Sequence, residues 1–181
     1  MSIKINFLKK KTTKYSGNLV LFTDEKFSIS GLKNDLSNSE FSYINDLLKT
    51  SDLKKNLFFF EVSSKKKIVL ISIKKDLKSF DIENLGAEFY SRVNYGKNSE
   101  YTVNSDSITN KYKDFIGHFF HGLKLKSYEF NKYKSKKETR VISLSVSGNK
   151  NKPSTQSQLK FRALEEGIFY ARDLVSEPGN I

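Results

Sequence analysis

Apolar and polar residues alternate from the start of the chain: Ile3, Ile5 and Phe7 against Lys4 and Asn6. This period of two predicts a strand over Ser2 to Leu8 with one buried face. Gly17 then leads into Asn18-Leu19-Val20-Leu21-Phe22-Thr23, a continuous apolar run suited to a central strand. Ser39 to Lys49 places Phe41, Ile44, Leu47 and Leu48 at helical spacing. Leu57 to Phe60 and Lys67 to Ile73 read as two strands, and the short Ser63-Ser64-Lys65 connection predicts a hairpin or tight turn between them. Ser79 to Tyr95 reads as a helix, with Ser79 as N-cap, Asp81 and Glu83 in its first turn, and Ile82, Leu85, Phe89 and Val93 on its apolar face.

Glu100 to Val103 follows as a short strand. Thr109 to Leu123 reads as a long helix with Tyr112, Phe115, Phe119 and Leu123 in one stripe. Arg140 to Val146 is an alternating or buried strand, and Ser154 to Val175 a helix that must stop at Pro178-Gly179. Strand pairs in the first half and strand–helix alternation in the second predict an α/β domain, a three-layer arrangement of a mixed β-sheet flanked by helices. The organisation expected is one α/β domain over residues 1–153, then a terminal helix and junction over 154–181.

Composition narrows the chemistry. A length of 181 residues suits one domain, and 15 Phe and 9 Tyr supply large apolar side chains to a lean apolar fraction of 37%. The absence of cysteine excludes disulfides, thiolate metal sites and a Cys nucleophile from this sequence and suits a reducing cytoplasm. The first residues lack the long apolar region of a signal peptide, and no window approaches the run of about 20 apolar residues needed to span a bilayer. The expectation is a cytoplasmic protein with no membrane partner.

The net charge of +12 points toward a polyanion such as DNA. However, only Arg92, Arg140, Arg162 and Arg172 are arginines among the 32 basic residues, and the charge is spread along the chain. Residues 1–90 hold 16 basic and 11 acidic side chains, residues 91–181 hold 16 and 9. A solvated lysine-rich surface is the plainer reading. The densest basic and aromatic stretch is Leu123 to Arg140, where Tyr128, Phe130 and Tyr133 interleave with Lys124, Lys126, Lys132, Lys134, Lys136 and Lys137. It reads either as a stacking surface for single-stranded nucleic acid or as a segment whose aromatics dock on the core.

Gly-rich phosphate loops and a G-x-S-x-G elbow are absent. His118 and His121, three apart on a helix with Asp114 nearby, are weak candidates for a metal pair, set against the reading of a half-buried amphipathic helix. The paired acids Asp24-Glu25 and Glu165-Glu166 read as turn and helix-surface residues. No catalytic residue and no cofactor-binding residue emerges.

Two motifs carry a resemblance. Gly122, Leu125, Tyr128, Phe130, Tyr133, Lys134 and Ser135 fall at the spacing of the pattern E-G-x-x-L-x-x-Y-x-F-x-x-Y-K-S. Gly167, Ala171, Arg172, Asp173, Leu174 and Val175, then Pro178 and Asn180, resemble a G-x-x-x-A-R-D-L-V-N-x-P-x-N junction. Both resemble the N-terminal domain of leucine (cytosol) aminopeptidases, with departures at His121, Lys126 and Ser176. The resemblance implies a macro-domain-like α/β fold and a parent that removes N-terminal amino acids from peptides. It implies two divalent metals, Mn or Zn, held by a separate C-terminal catalytic domain that would be this domain's partner in a homohexamer. The metal ligands of that family lie in motifs downstream of the A-R-D-L-V helix, so the expectation is that this chain holds no metal and no catalytic residue. Some bacterial members bind DNA, and the macro-like fold makes an ADP-ribose-type ligand the alternative partner.

Overall fold

The computed structural model describes residues 2–9, 15–94, 99–109, 112–135 and 140–177. Six strands form one sheet: β1 (Ser2–Phe7), β2 (Asn18–Asp24), β3 (Leu57–Ser63), β4 (Lys66–Ile73), β5 (Ser99–Asn104) and β6 (Val141–Ser147). Among the described residues four α-helices accompany them: α1 (Asn38–Thr50), α2 (Ser79–Val93), α3 (Phe115–Lys126) and α4 (Thr155–Ser176). The strand order is β1-β6-β5-β2-β4-β3. All pairs are parallel except the β3–β4 hairpin, in which Phe59 faces Val69. This is the mixed-sheet α/β architecture that the alternation of elements predicts, with helices on both faces.

Strand parity divides the core in two. On β2, Val20 and Phe22 face one way, into a cluster with Ile82, Leu85 and Phe89 of α2 and Phe115, Phe119 and Leu123 of α3. Leu19 and Leu21 face the other way, with Ile44 and Leu48 of α1. Because both faces of β2 and β4 are covered, these strands read as unbroken apolar runs. On β6, by contrast, Ile142, Leu144 and Val146 are buried and alternate with the half-buried Ser143 and Ser145.

Helices α2 and α3 cross at backbone contact. A Cβ on Gly86 would lie 1.9 Å from the Phe119 carbonyl oxygen, and one on Gly122 would lie 1.9 Å from that of Glu83. The motif glycine Gly122 is therefore required for packing, since any side chain there would push the two helices apart. Phe119, seated at this crossing, packs its ring 5.6 Å from that of Phe22 and 5.8 Å from that of Phe89.

Two predicted helix starts are corrected. The helix expected from Thr109 begins only at Phe115, because Asp114 takes a left-handed conformation (φ 57°) that no α-helix contains. Asn110 and Lys111 lie outside the described residues. Ser79 is already inside α2; the cap position is Lys78, whose amide donates to the Asp81 carboxylate at 2.9 Å. Helix α1 carries a capping box that the apolar periodicity does not reveal: the Glu40 amide donates to Ser37 Oγ, and the Ser37 amide donates to Glu40 Oε2. The S-x-x-E pattern of residues 37–40 is its signal.

Candidate functional site

Helix α4 is the longest helix and the most loosely embedded. It docks on α3 through one narrow face, in which Phe161 and Glu165 are buried and Ile168 and Phe169 half-buried. At its start Ser154 Oγ accepts from the Ser157 amide, and Ser157 Oγ donates to Asp114 Oδ2 at 2.9 Å. Gly117 of α3 leaves room for the Phe161 ring, since a Cβ there would meet it at 2.3 Å.

The middle of the helix is held by a buried carboxylate. Glu165 is 5% exposed; its Oε2 accepts from Lys124 Nζ at 2.7 Å, and its Oε1 lies 3.4 Å from His121 Nδ1. This corrects the reading of Glu165-Glu166 as two surface acids. Glu165 falls four residues after Phe161, on the same helix face, whereas Glu166 is exposed and pairs with Arg162. Asp24 ends β2 and Glu25 opens the turn that follows, where Asp24 Oδ1 accepts from the Lys26 and Ser28 amides.

His118 and His121 do not converge on a shared point. His118 Nδ1 lies 2.8 Å from Glu83 Oε1 of α2, and its ring sits edge-on to Tyr112 and Phe161. His121 turns to Glu165 of α4, while Asp114 is engaged by Ser157. Each histidine thus ties α3 to a different neighbouring helix. Among the described residues no group of three or more His, Asp or Glu side chains could hold a metal ion.

The two sequence motifs meet in space at the end of α4. Tyr128 donates its hydroxyl to Asp173 Oδ1 at 2.7 Å and packs its ring 5.5 Å from that of Phe169. Arg172 also lies over the Tyr128 ring, 5.4 Å from its centroid, and donates to the Leu125 carbonyl at 2.7 Å. Lys132 pairs with Glu177. Partial burial and the hydrogen bond to Asp173 together hold the Tyr128 phenol above its ordinary pKa. Phe130 packs edge-on to Tyr133, while Lys134 and Ser135 are exposed. Of the basic and aromatic stretch, then, Tyr128 docks on α4, and Lys124 and Lys132 are paired; Lys136, Lys137, Pro178, Gly179 and Asn180 lie outside the described residues.

Among the described residues, the opposite face of α4 is left exposed. Leu159, Tyr170 and Leu174 are 62%, 67% and 55% exposed, and Val175 is 88% exposed. Ala163, Gly167 and Ala171 lie among them, all exposed. A Cβ on Gly167 would meet nothing within 4 Å, unlike those on Gly86, Gly117 and Gly122. Glycine in an exposed helix interior costs about 1 kcal/mol relative to alanine, and no contact among the described residues accounts for it.

No family model matches the chain. It is 37% identical to a probable cytosol aminopeptidase of Dinoroseobacter shibae over 60 residues, which are 33% of this chain and 12% of that protein. The fold of a mutant of tomato leucine aminopeptidase matches 99% of this chain and 39% of that one, with a TM-score of 0.68 and 17% identity. The chain therefore spans well under half the length of the proteins it matches. The likeness in sequence and the likeness in fold point the same way: this chain resembles the N-terminal domain of the leucine (cytosol) aminopeptidases.

Proposed function

We propose that this chain is the non-catalytic N-terminal domain of a metal-dependent, cytoplasmic leucyl aminopeptidase, and that it docks a catalytic domain through the outer face of α4. The observation that carries this reading is that face: a long helix, anchored along one stripe, with Leu159, Tyr170, Leu174 and Val175 exposed around Gly167. Large apolar side chains grouped on one surface mark a contact, and a glycine without internal reason marks a close one. The larger remainder of the tomato protein, beyond the 39% matched, makes a catalytic domain the fitting occupant. The Mn or Zn pair of such an enzyme would belong to that domain, with assembly and access to the active site left to this one.

The test is direct. The purified 181-residue chain should release no p-nitroaniline from leucine-p-nitroanilide with added Mn or Zn, and metal-dependent turnover by it would overturn the reading.

A further inference from the structure

Helix α4 stands apart from the apolar core. Of its 22 residues only Phe161 and Glu165 are buried, against six of 15 in α2 and eight of 12 in α3. Two apolar clusters fill the two sides of the sheet, and among the described residues neither includes a member from α4. Phe161 packs instead beside the rings of His118 and His121 and over Gly117. Moving α4 away would take no member out of either cluster.

The contact beneath α4 also differs from that between its neighbours. Helices α2 and α3 meet at backbone contact, whereas open clefts of about 270 and 510 Å³ lie between α4 and β1, lined on the strand side by Ile5 and Phe7 and by Ile3 respectively. Polar groups carry much of what crosses to α4: Ser157 to Asp114, Glu165 to Lys124 and His121, Arg172 to the Leu125 carbonyl, and Tyr128 to Asp173. Such groups regain water when a helix lifts off, so each opposes opening less than the burial of a large apolar side chain does.

The chain just before α4 is clamped. Asp106 Oδ1 accepts from the Asn149 and Lys150 amides at 2.7 and 2.8 Å. Asn151 Nδ2 donates to the Ser105 and Ile108 carbonyls, both at 3.1 Å, and Lys152 Nζ donates to the Leu8 carbonyl at 2.6 Å. Pro153 is buried, and Ser154, the next residue, is the exposed cap of the helix. The anchored loop thus ends where α4 begins.

We infer that α4 is a hinged strap: it opens from Pro153–Ser154 as one unit while the sheet and α1 to α3 stay folded, and Glu165 is its central fastening. Glu165 is the carboxylate that α4 buries in this contact, and both of its oxygens face partners on α3. Opening moves the outer face of α4, the docking surface proposed above, relative to the sheet. That consequence rests on the docking reading; the opening itself rests on packing within this chain and is tested without it.

The experiment is native-state hydrogen exchange of the whole chain, followed by ¹H–¹⁵N NMR at urea concentrations below the unfolding transition. Amides of residues 161–173 should exchange through one shared opening with a common urea dependence, at least about tenfold faster than amides of β2 and β4 once intrinsic rates are divided out. Glu165→Ala should speed exchange across α4 about tenfold by removing hydrogen bonds to a charged group. Ile44→Val, in the cluster under α1, should speed exchange in β2 and β4 severalfold and leave α4 unchanged, because the open form keeps that cluster intact. Exchange of α4 only together with β2 and β4 would overturn the inference, as would residue-by-residue fraying with no shared urea dependence. A response of α4 to Ile44→Val would overturn it too. Unchanged α4 exchange in Glu165→Ala would remove Glu165 as the fastening. A Glu165→Ala chain unfolded throughout would show that the body does not stand without the strap, and would also overturn it.

Discussion

Tyr128 donates its hydroxyl to Asp173 at 2.7 Å, across 45 residues of chain. This bond joins the segment after α3 to the end of α4, and the Phe169 and Arg172 contacts close around the same ring. Tyr128→Phe should leave global stability little changed, because the partners lie at the surface. Its effect should appear in amide hydrogen exchange, with faster exchange over residues 169–176 and none over α2 and α3. Unchanged exchange at the end of α4 would mean that the ring contacts alone hold it.

Glycines at two places on the helices should respond in opposite directions to the same substitution. Gly122→Ala forces a methyl group into the Glu83 carbonyl, with backbone rather than flexible side chain in the way, and should destabilise the chain by about 3 kcal/mol or more. Gly167→Ala meets open space in an exposed helix and should stabilise the isolated chain by about 1 kcal/mol. Urea unfolding of both variants measures this. If the outer face of α4 is a close contact in a full-length enzyme, the same Gly167→Ala change should weaken docking there while stabilising the domain alone.

Acid sensitivity should be traceable to Glu40. Burial favours the protonated acid, but Lys66 at 2.6 Å and the Ser37 amide outweigh it and hold the carboxyl below its ordinary value of 4.5. A depressed folded-state pKa contributes stability that is present above about 4.5 and lost as pH falls through the lower folded value. Glu40→Gln should flatten the acid limb of stability against pH in that window. Ser37→Ala should cost about 1 kcal/mol at neutral pH through the lost cap.

The basic surface should behave as a solvated one. Lys124, Lys132, Lys66 and Lys67 are each paired with a carboxylate, and Tyr128 is engaged by Phe169 and Arg172. Retention on a DNA column is therefore expected only at low salt and lost near physiological ionic strength. Retention that persists there would establish nucleic acid as a partner.

Local pattern alone determined much of this protein. Alternation in β1, the unbroken apolar run of β2, and the Ile82-Leu85-Phe89-Val93 stripe were legible because burial of one face repeats at the period of the backbone. The two motifs were legible as strings of identities, yet nothing in them says that Tyr128 and Asp173 touch. Glu165 looked like a surface acid because charge is read residue by residue, whereas its burial depends on the Phe161 face of α4 meeting His121 and Lys124 of another helix. His118 and His121, spaced like ligands, were turned to different partners by the helices on either side. The shared face of Thr23 and Asn104 was equally hidden, since β5 lies beside β2 only in the folded sheet. Secondary structure is a local matter and could be read from the chain; which polar groups find partners is settled by strand order and helix packing, and these exist only in the folded molecule.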